Sequence, residues 1–338
     1  MNDHSIPTKR PSSYCRFFQV VYKKLHIPSY SQHTAHTEMS QRVLSIQSHV
    51  VHGYVGNKAA VFPLQLLGLD VDVINSVHFS NHTGYSVIRG DVLQGEQLLA
   101  LLNGLEQNDL LQDVGHVLTG YIGSDSFCQA VVTVVEHIRK ANPKCRYVCD
   151  PVLGDSGKFY VPKSLVEVYK IHVIPHANVV TPNQFEAEQL TGMAIHTIND
   201  AKQACLLLHQ MGPSLVILTS LVLQQDGLLT LLASSSSSSI LANRTTDQIV
   251  WRIDAPLLPG HYTGTGDLIA ALILGHTANP PYEMKHVLEK VISTMQAVIQ
   301  RTMEANTTTN TVASTELKLI QSKQDIENPI ISFTAYKI

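Results

Sequence analysis

From Arg42 onward the chain alternates short apolar runs with helix-length stretches, and this alternation restricts the fold more than any other feature. The runs lie at Arg42–Gln47, Val71–Val77, His116–Tyr121, Arg146–Asp150, Asn178–Thr181 and Ser214–Ser220. They are rich in Val, Ile and Leu and nearly continuous in apolarity. A strand reads this way when both of its faces are shielded from water, as in a parallel sheet covered by helices. Helix-length segments separate them at Asn57–Leu67, Gln94–Gln107, Ser124–Ala141 and Asn199–Met211. The succession predicts an α/β sheet with right-handed crossovers.

Beyond Ser220 the pattern changes. Gly227–Ala233 and Gln248–Ile253 read as a hairpin around the serine run Ser234–Ser239, which has nothing to bury and is expected to be a mobile loop. Pro280-Pro281 opens a long final helix, about Tyr282 to Ala305, followed by a Thr/Asn-rich surface loop over Ala305–Ser314. No internal repeat is present. Residues 1–40 stand apart: Lys9, Arg10, Arg16, Lys23 and Lys24 lie among Ser and Tyr. They read as a disordered extension or as a transit-like segment, with Met39 as an alternative start. The remainder, 41–338, reads as a single domain.

Charge and composition narrow the function. Hydrophobic residues make up 44% of the 338-residue chain, enough for a large core, and the net charge of −3 offers no cationic excess for a nucleic-acid backbone. Five cysteines, Cys15, Cys128, Cys145, Cys149 and Cys205, fit no zinc spacing and read as reduced thiols. No apolar run approaches the roughly 18 residues needed to span a bilayer. Asp267–Leu274 is too short and reads as a buried helix.

The strongest local signal for chemistry is Gly264-Thr265-Gly266-Asp267, placed directly before that helix. Its glycines allow a tight turn whose amides point one way, and the helix adds its positive end to the same spot. The result is a hole for an anion such as a transferring phosphoryl group, with Asp267 at its mouth to take a hydroxyl proton. The competing reading is a glycine turn with Asp267 as an ordinary cap. In Asp150-Pro151-Val152-Leu153-Gly154-Asp155 two carboxylates follow a strand, at the edge where open α/β sheets bind ligands. They could hold Mg²⁺ or K⁺ through oxygen, or simply form a solvated turn. Asn183 and Glu186 form a capping box that leaves Glu186 able to organise Mg²⁺-bound water. Ser80–Tyr85 and Ser48–Val50 mix small polar with apolar and aromatic groups, which suits a flat heteroaromatic ligand and is also good turn chemistry. His49, His52, His78 and His82 read as surface or satisfied core residues. Neither G-x-x-x-x-G-K-[ST] nor an early G-x-G-x-x-G is present, so P-loop and dinucleotide folds are disfavoured.

Seven ordered blocks resemble the vitamin B6 kinases of the ribokinase-like superfamily. They are Ser45–Val50, Gly53–Asn57, Asn75–Tyr85, Leu118–Tyr121, Asp150–Asp155, Thr181–Glu188 and Gly264–Asp267. The resemblance runs from about Arg42 to the C-terminus, and Asn81-His82-Thr83-Gly84-Tyr85 separates it from sugar kinases of that fold. It implies a ribokinase-like three-layer α/β/α sandwich with a mostly parallel central sheet. The implied activity is ATP-dependent phosphorylation of pyridoxal, pyridoxine and pyridoxamine. Ser48 and Thr83 would then bond the pyridine's polar groups, and Val55, Phe79 and Tyr121 would wall the ring. Asp267 would activate the hydroxyl, with the amides of Gly264, Thr265 and Gly266 facing the transferred charge. Asp150, Thr181 and Thr219 would lie near a monovalent cation such as K⁺, and Glu186 near Mg²⁺. Ser220 would sit on the ATP side, and Asp155 and Tyr160 would flank a loop, Ser156–Phe159, that closes over ATP. A cytoplasmic homodimer is implied as well. On the nucleotide side the chain departs from the family at Leu221–Leu223, at Ala255–His261, where a cation is often found, and at the serine run. The alternatives are a hydroxymethylpyrimidine-type small-alcohol kinase and a non-catalytic protein that binds vitamin B6.

Overall fold

The computed structural model describes residues 41–223, 227–236, 248–305 and 311–338. The readings made for residues 1–40, for Cys15, for Ser237–Ser239 and for 306–310 of the Thr/Asn-rich loop lie outside the described residues.

Each predicted apolar run is a strand. In chain order they are β1 (Arg42–Val50), β2 (Asp70–Phe79), a short β3 (Gly90–Val92), β4 (Val114–Thr119), β5 (Arg146–Cys149), the pair β6 (Gly154–Asp155) and β7 (Lys158–Phe159), β8 (Val179–Val180), β9 (Leu215–Leu221), β10 (Leu228–Ser236), β11 (Gln248–Pro256) and β12 (Tyr336–Lys337). All but β6 and β7 join one ten-stranded sheet in the order β12-β11-β10-β9-β8-β5-β4-β1-β2-β3. The six central strands β9-β8-β5-β4-β1-β2 are parallel, and the edges β10, β11, β12 and β3 run antiparallel. A mostly parallel sheet is thus borne out.

Alternate residues of the central strands feed two cores, one on each face. Leu44, Ile46, Val117, Tyr147, Val180 and Val216 pack on one side, while Val43, Leu118, Val148, Val179 and Ile217 pack on the other. Helices α2 (Gly95–Gln107), α3 (Asp125–Ala141), α4 (Ser164–Val168), α5 (Gln184–Thr191) and α6 (Ile198–Gln210) cover the first face. The second is covered by α1 (Asn57–Leu66), α7 (Thr265–Thr277), α8 (Met284–Glu304) and α9 (Lys323–Glu327). Two apolar faces, each needing cover, explain the three layers. Among the described residues no helix is long and apolar enough to cross a membrane. Cys128, Cys145, Cys149 and Cys205 are buried free thiols, as expected.

The structure corrects two expectations. The serine run is not all loop, because Ser234, Ser235 and Ser236 complete β10 and Ser234 is fully buried. Its hydroxyl accepts from Gln248 Nε2 at 2.7 Å and meets His209 Nε2 at 2.8 Å, so it has a polar partner on each side and need not face water. The helix after Pro281 also is not the last element. α9 and β12 follow it, anchored by Leu317, Leu319 and Ile326, all fully buried.

Candidate active site

Parallel strands direct their carboxyl ends to one edge, and there β1, β2, β4, β5, β8 and β9 deliver Ser48, Phe79, Tyr121, Asp150, Thr181 and Thr219. The amino end of α7 closes on the same edge. Together they bound a cavity of about 480 Å³ that every candidate residue lines. One wall holds Ser48, Val55, Phe79, Thr83 and Tyr121, and another holds Asp155, Tyr160, Thr181, Glu186, Thr219 and Ser220. Asp150, Gly264, Thr265, Gly266 and Asp267 belong to the same cavity. These residues are drawn from segments far apart in sequence, so the site exists only once the sheet has formed.

The glycine turn takes its shape from backbone packing. Gly264 caps α7 at φ 87°, in the left-handed region, and a Cβ there would sit 2.1 Å from the Tyr54 carbonyl oxygen. Only glycine fits so close an approach without strain. The first amides of α7 have no partner within the helix, so the turn offers N–H groups and the positive end of the dipole to the cavity. Asp267 lies in this first turn, and its Oδ2 accepts the Gly56 N–H at 2.8 Å. Burial raises its pKa to about 6, while the Gly56 amide pulls the other way.

Asp150 is buried, and Thr181 Oγ1 donates to its Oδ1 at 3.1 Å. Burial first, then the charges of Glu186 and Asp267, push its carboxyl well above the usual range. Glu186 is buried as well and is raised mainly by desolvation. Its Oε1 accepts from Leu153 N–H at 3.0 Å and its Oε2 from Asn183 N–H at 2.9 Å, so the predicted capping box is present. Asp155 ends β6 and Tyr160 follows β7, and the turn between the two strands places Ser156 at φ 50° and Gly157 at φ 78°. Two successive left-handed residues make a tight hairpin turn that projects from the edge.

Four carboxylates line this cavity, Asp150, Asp155, Glu186 and Asp267, and no Lys or Arg among the described residues does so. With no Lys or Arg on these walls, a polyphosphate bound here would rely on cations to offset its own charge. Among the described residues no cluster of three or more His, Cys, Asp or Glu could hold a metal unaided. Oxygen donors in that number suit a hard cation whose remaining ligands come from phosphate and water.

Residues that the sequence reading did not name, or named without a site role, complete the walls. Leu257, Leu258, Ile292, Met295 and Ile299 make an apolar face, and His82, Gly84 and Asn183 also line the space. Ile292, Met295 and Ile299 come from α8, whose periodicity predicts a helix but not which cavity it borders.

The chain is similar to known proteins over most of its length. A family model described as phosphomethylpyrimidine kinase matches residues 105–313. The pyridoxal kinase of Arabidopsis thaliana is 50% identical over 297 residues, covering 87% of this chain and 94% of that protein. The pyridoxal kinase of Homo sapiens is 43% identical over 303 residues, covering 86% and 96%. The structure of the pyridoxal kinase from Leishmania donovani in complex with ADP and pyridoxamine matches with a TM-score of 0.82 at 36% identity, over 88% of this chain and 99% of that one. Sharing up to half of its residues with such proteins over nearly its whole fold, this chain belongs to the pyridoxal kinase family.

Proposed function

We propose that this chain transfers the γ-phosphoryl group of ATP to the 5′-hydroxyl of pyridoxal, pyridoxine and pyridoxamine, with Asp267 as general base. The observation that carries the reading is that Asp267, the glycine turn, and the Ser48–Thr83–Tyr121 wall border one cavity. Relatives crystallised with ADP together with pyridoxamine or pyridoxine support it.

In this reading Val55, Phe79 and Tyr121 sandwich the pyridine ring, and Ser48 and Thr83 bond its polar groups. The apolar face of Leu257, Leu258, Ile292, Met295 and Ile299 receives the nucleotide base. Asp267 accepts the hydroxyl proton as the oxygen attacks phosphorus, and the amides of Gly264, Thr265 and Gly266 stabilise the charge on the moving phosphoryl group. Bound Mg²⁺, with K⁺ near Asp150, Thr181 and Thr219, would neutralise phosphate charge. Asp155 and Glu186 would orient the Mg²⁺ and its water. The Ser156–Phe159 turn covers the nucleotide and excludes water. The homodimer, the cytoplasmic location and a single domain over 41–338 are part of the same proposal. Sedimentation and imaging of a tagged chain test the first two.

The test is the ATP-dependent conversion of pyridoxal to its 5′-phosphate, followed by the absorbance of the product. Omitting Mg²⁺ is expected to abolish turnover. The match to the phosphomethylpyrimidine kinase model favours a second reading, in which a hydroxymethylpyrimidine is the acceptor. Turnover of that pyrimidine without pyridoxal turnover reverses the ranking. Equal background rates in the wild type and Asp267→Asn would instead favour a protein that only binds the vitamin.

A further inference from the structure

One buried carboxylate near the site has no part in the chemistry just described. Glu316 follows the 3₁₀ turn Val312–Thr315, far from the other site residues in sequence. Its Oε2 accepts the backbone N–H of Tyr54 at 2.8 Å. Its Oε1 accepts from the Tyr85 hydroxyl at 3.3 Å and faces His82 Nε2 at 3.4 Å. The His82 tautomer follows from its other nitrogen: the Gly84 N–H donates to Nδ1 at 3.1 Å, so Nδ1 is bare and the proton sits on Nε2, toward Glu316. Glu316 also forms an isolated parallel bridge with Thr263, the residue before the glycine turn. Burial pushes its pKa up, but the facing His82 and the Tyr54 and Tyr85 donors overcome that and hold it below the usual carboxylate range.

Three separate parts of the site therefore meet on one residue, two at its carboxylate and one at its backbone. Tyr54 precedes Val55 and Gly56, whose amide orients Asp267. His82 and Tyr85 flank Thr83, and Thr263 leads into the anion turn. The carboxylate has a firm base, since Leu317 and Leu319 on either side of Lys318 are fully buried and the Lys318 N–H donates to Thr302 Oγ1 at 3.0 Å. The chain also makes room for it. Gly53 sits at φ 97°, where a Cβ would fall 2.2 Å from Glu316 Oε1. Its grip is uneven, short to Tyr54 and long to His82 and Tyr85, so the vitamer-side loop is the more loosely held partner.

We propose that Glu316 is a positioning residue that locks the loop His82–Tyr85, the turn Tyr54–Gly56 and the lead-in at Thr263 into one register, so that Thr83 and Asp267 address the same substrate molecule. This rests on the kinase reading above for the roles of Thr83 and Asp267. Glu316→Gln keeps the shape but turns an amide donor toward donors. It is expected to raise KM for pyridoxal about tenfold and lower kcat about 10- to 100-fold, because small misplacements of reacting groups are costly. KM for ATP stays within about twofold. Glu316→Asp, which keeps the charge on a shorter stem, falls between the variant and the wild type. Amide hydrogen exchange on the free protein should quicken at 53–56 and 81–85 and remain unchanged in β4. Tyr85→Phe removes a single donor and quickens 81–85 alone, which keeps a test available if Glu316→Gln folds poorly. Wild-type KM with unaltered exchange at both segments, or exchange raised equally everywhere, overturns the proposal. If the wild type fails to phosphorylate pyridoxal, the kinase reading falls, and the exchange pattern still decides whether Glu316 holds these loops.

Discussion

Two opposing influences act on Asp267, and their balance suits a base. Burial resists its negative charge while the Gly56 amide favours it, leaving a pKa of about 6. At neutral pH such a carboxylate is mostly ionised, yet more basic than a free aspartate. The protonated form cannot accept the substrate proton. Activity is therefore lost as pH falls through about 6, and log kcat/KM for pyridoxal is expected to drop by about one per pH unit below that point. A pH–rate profile checks this, and a flat profile down to pH 4.5 would remove Asp267 from the role. Asp267→Asn leaves a side chain of the same shape that cannot take the proton. It is expected to lower kcat by about 10²- to 10⁴-fold with pyridoxal KM nearly unchanged. A KM effect as large as the kcat effect would make Asp267 a binding residue instead.

Between elements, the decisive contact is turn against turn, the amino end of α7 on the β1–α1 connection. Gly264→Ala must place a Cβ at φ 87° and against the Tyr54 carbonyl. The left-handed backbone alone costs about 1–2 kcal/mol, and the clash moves the anion turn besides. Reduced thermal stability together with a kcat at least tenfold lower is expected, measured by melting and steady-state kinetics. The same level shows what was legible from sequence. The parallel strands and their helices were, because near-continuous apolarity over four to seven residues is a local signal of burial on two faces. So was the site as far as it sits at strand ends and helix starts, with Asp150, Thr181, Asn183 and Gly264 each marked by its turn. Ser234 and Glu316 were not legible, because their meaning depends on partners remote in the chain. A serine run looks like loop until β10 carries Ser234 between His209 and Gln248. The Pro213 carbonyl can only accept, so His209 donates from Nδ1 at 2.7 Å and its Nε2 takes the Ser234 proton. Ser234→Ala leaves buried His209 Nε2 and half-buried Gln248 Nε2 without that partner and is expected to cost about 1–3 kcal/mol in denaturant titration while sparing kcat.

At the scale of the molecule, the carboxyl-terminal segment ties the site to the core of the face formed by α1, α7, α8 and α9. Leu317, Leu319 and Ile326 are fully buried there. Arg301 pairs with Asp325, and Thr294 Oγ1 donates to the Asp325 carbonyl at 3.1 Å, so α9 is fastened to α8 by polar contacts as well. Burying three such side chains is worth about 5–9 kcal/mol, comparable with the roughly 5–15 kcal/mol by which whole domains are stable. Ending the chain at Glu304 is therefore expected to abolish cooperative folding rather than merely to slow catalysis. Ending it at Ala335 removes three exposed residues, the β12 pair opposite Trp251 and Arg252 on the sheet edge and Ile338, whose N–H donates to the Val250 carbonyl at 3.1 Å. That shorter loss also takes away the Tyr336 hydroxyl bonded to Asp254 at 2.8 Å, an exposed contact worth about 1 kcal/mol or less. Denaturant titration of the two truncations, with pyridoxal turnover of whichever folds, separates the cases. If the chain ending at Glu304 unfolds cooperatively with wild-type stability, the segment is an appendage, and its buried leucines do not hold the second face together.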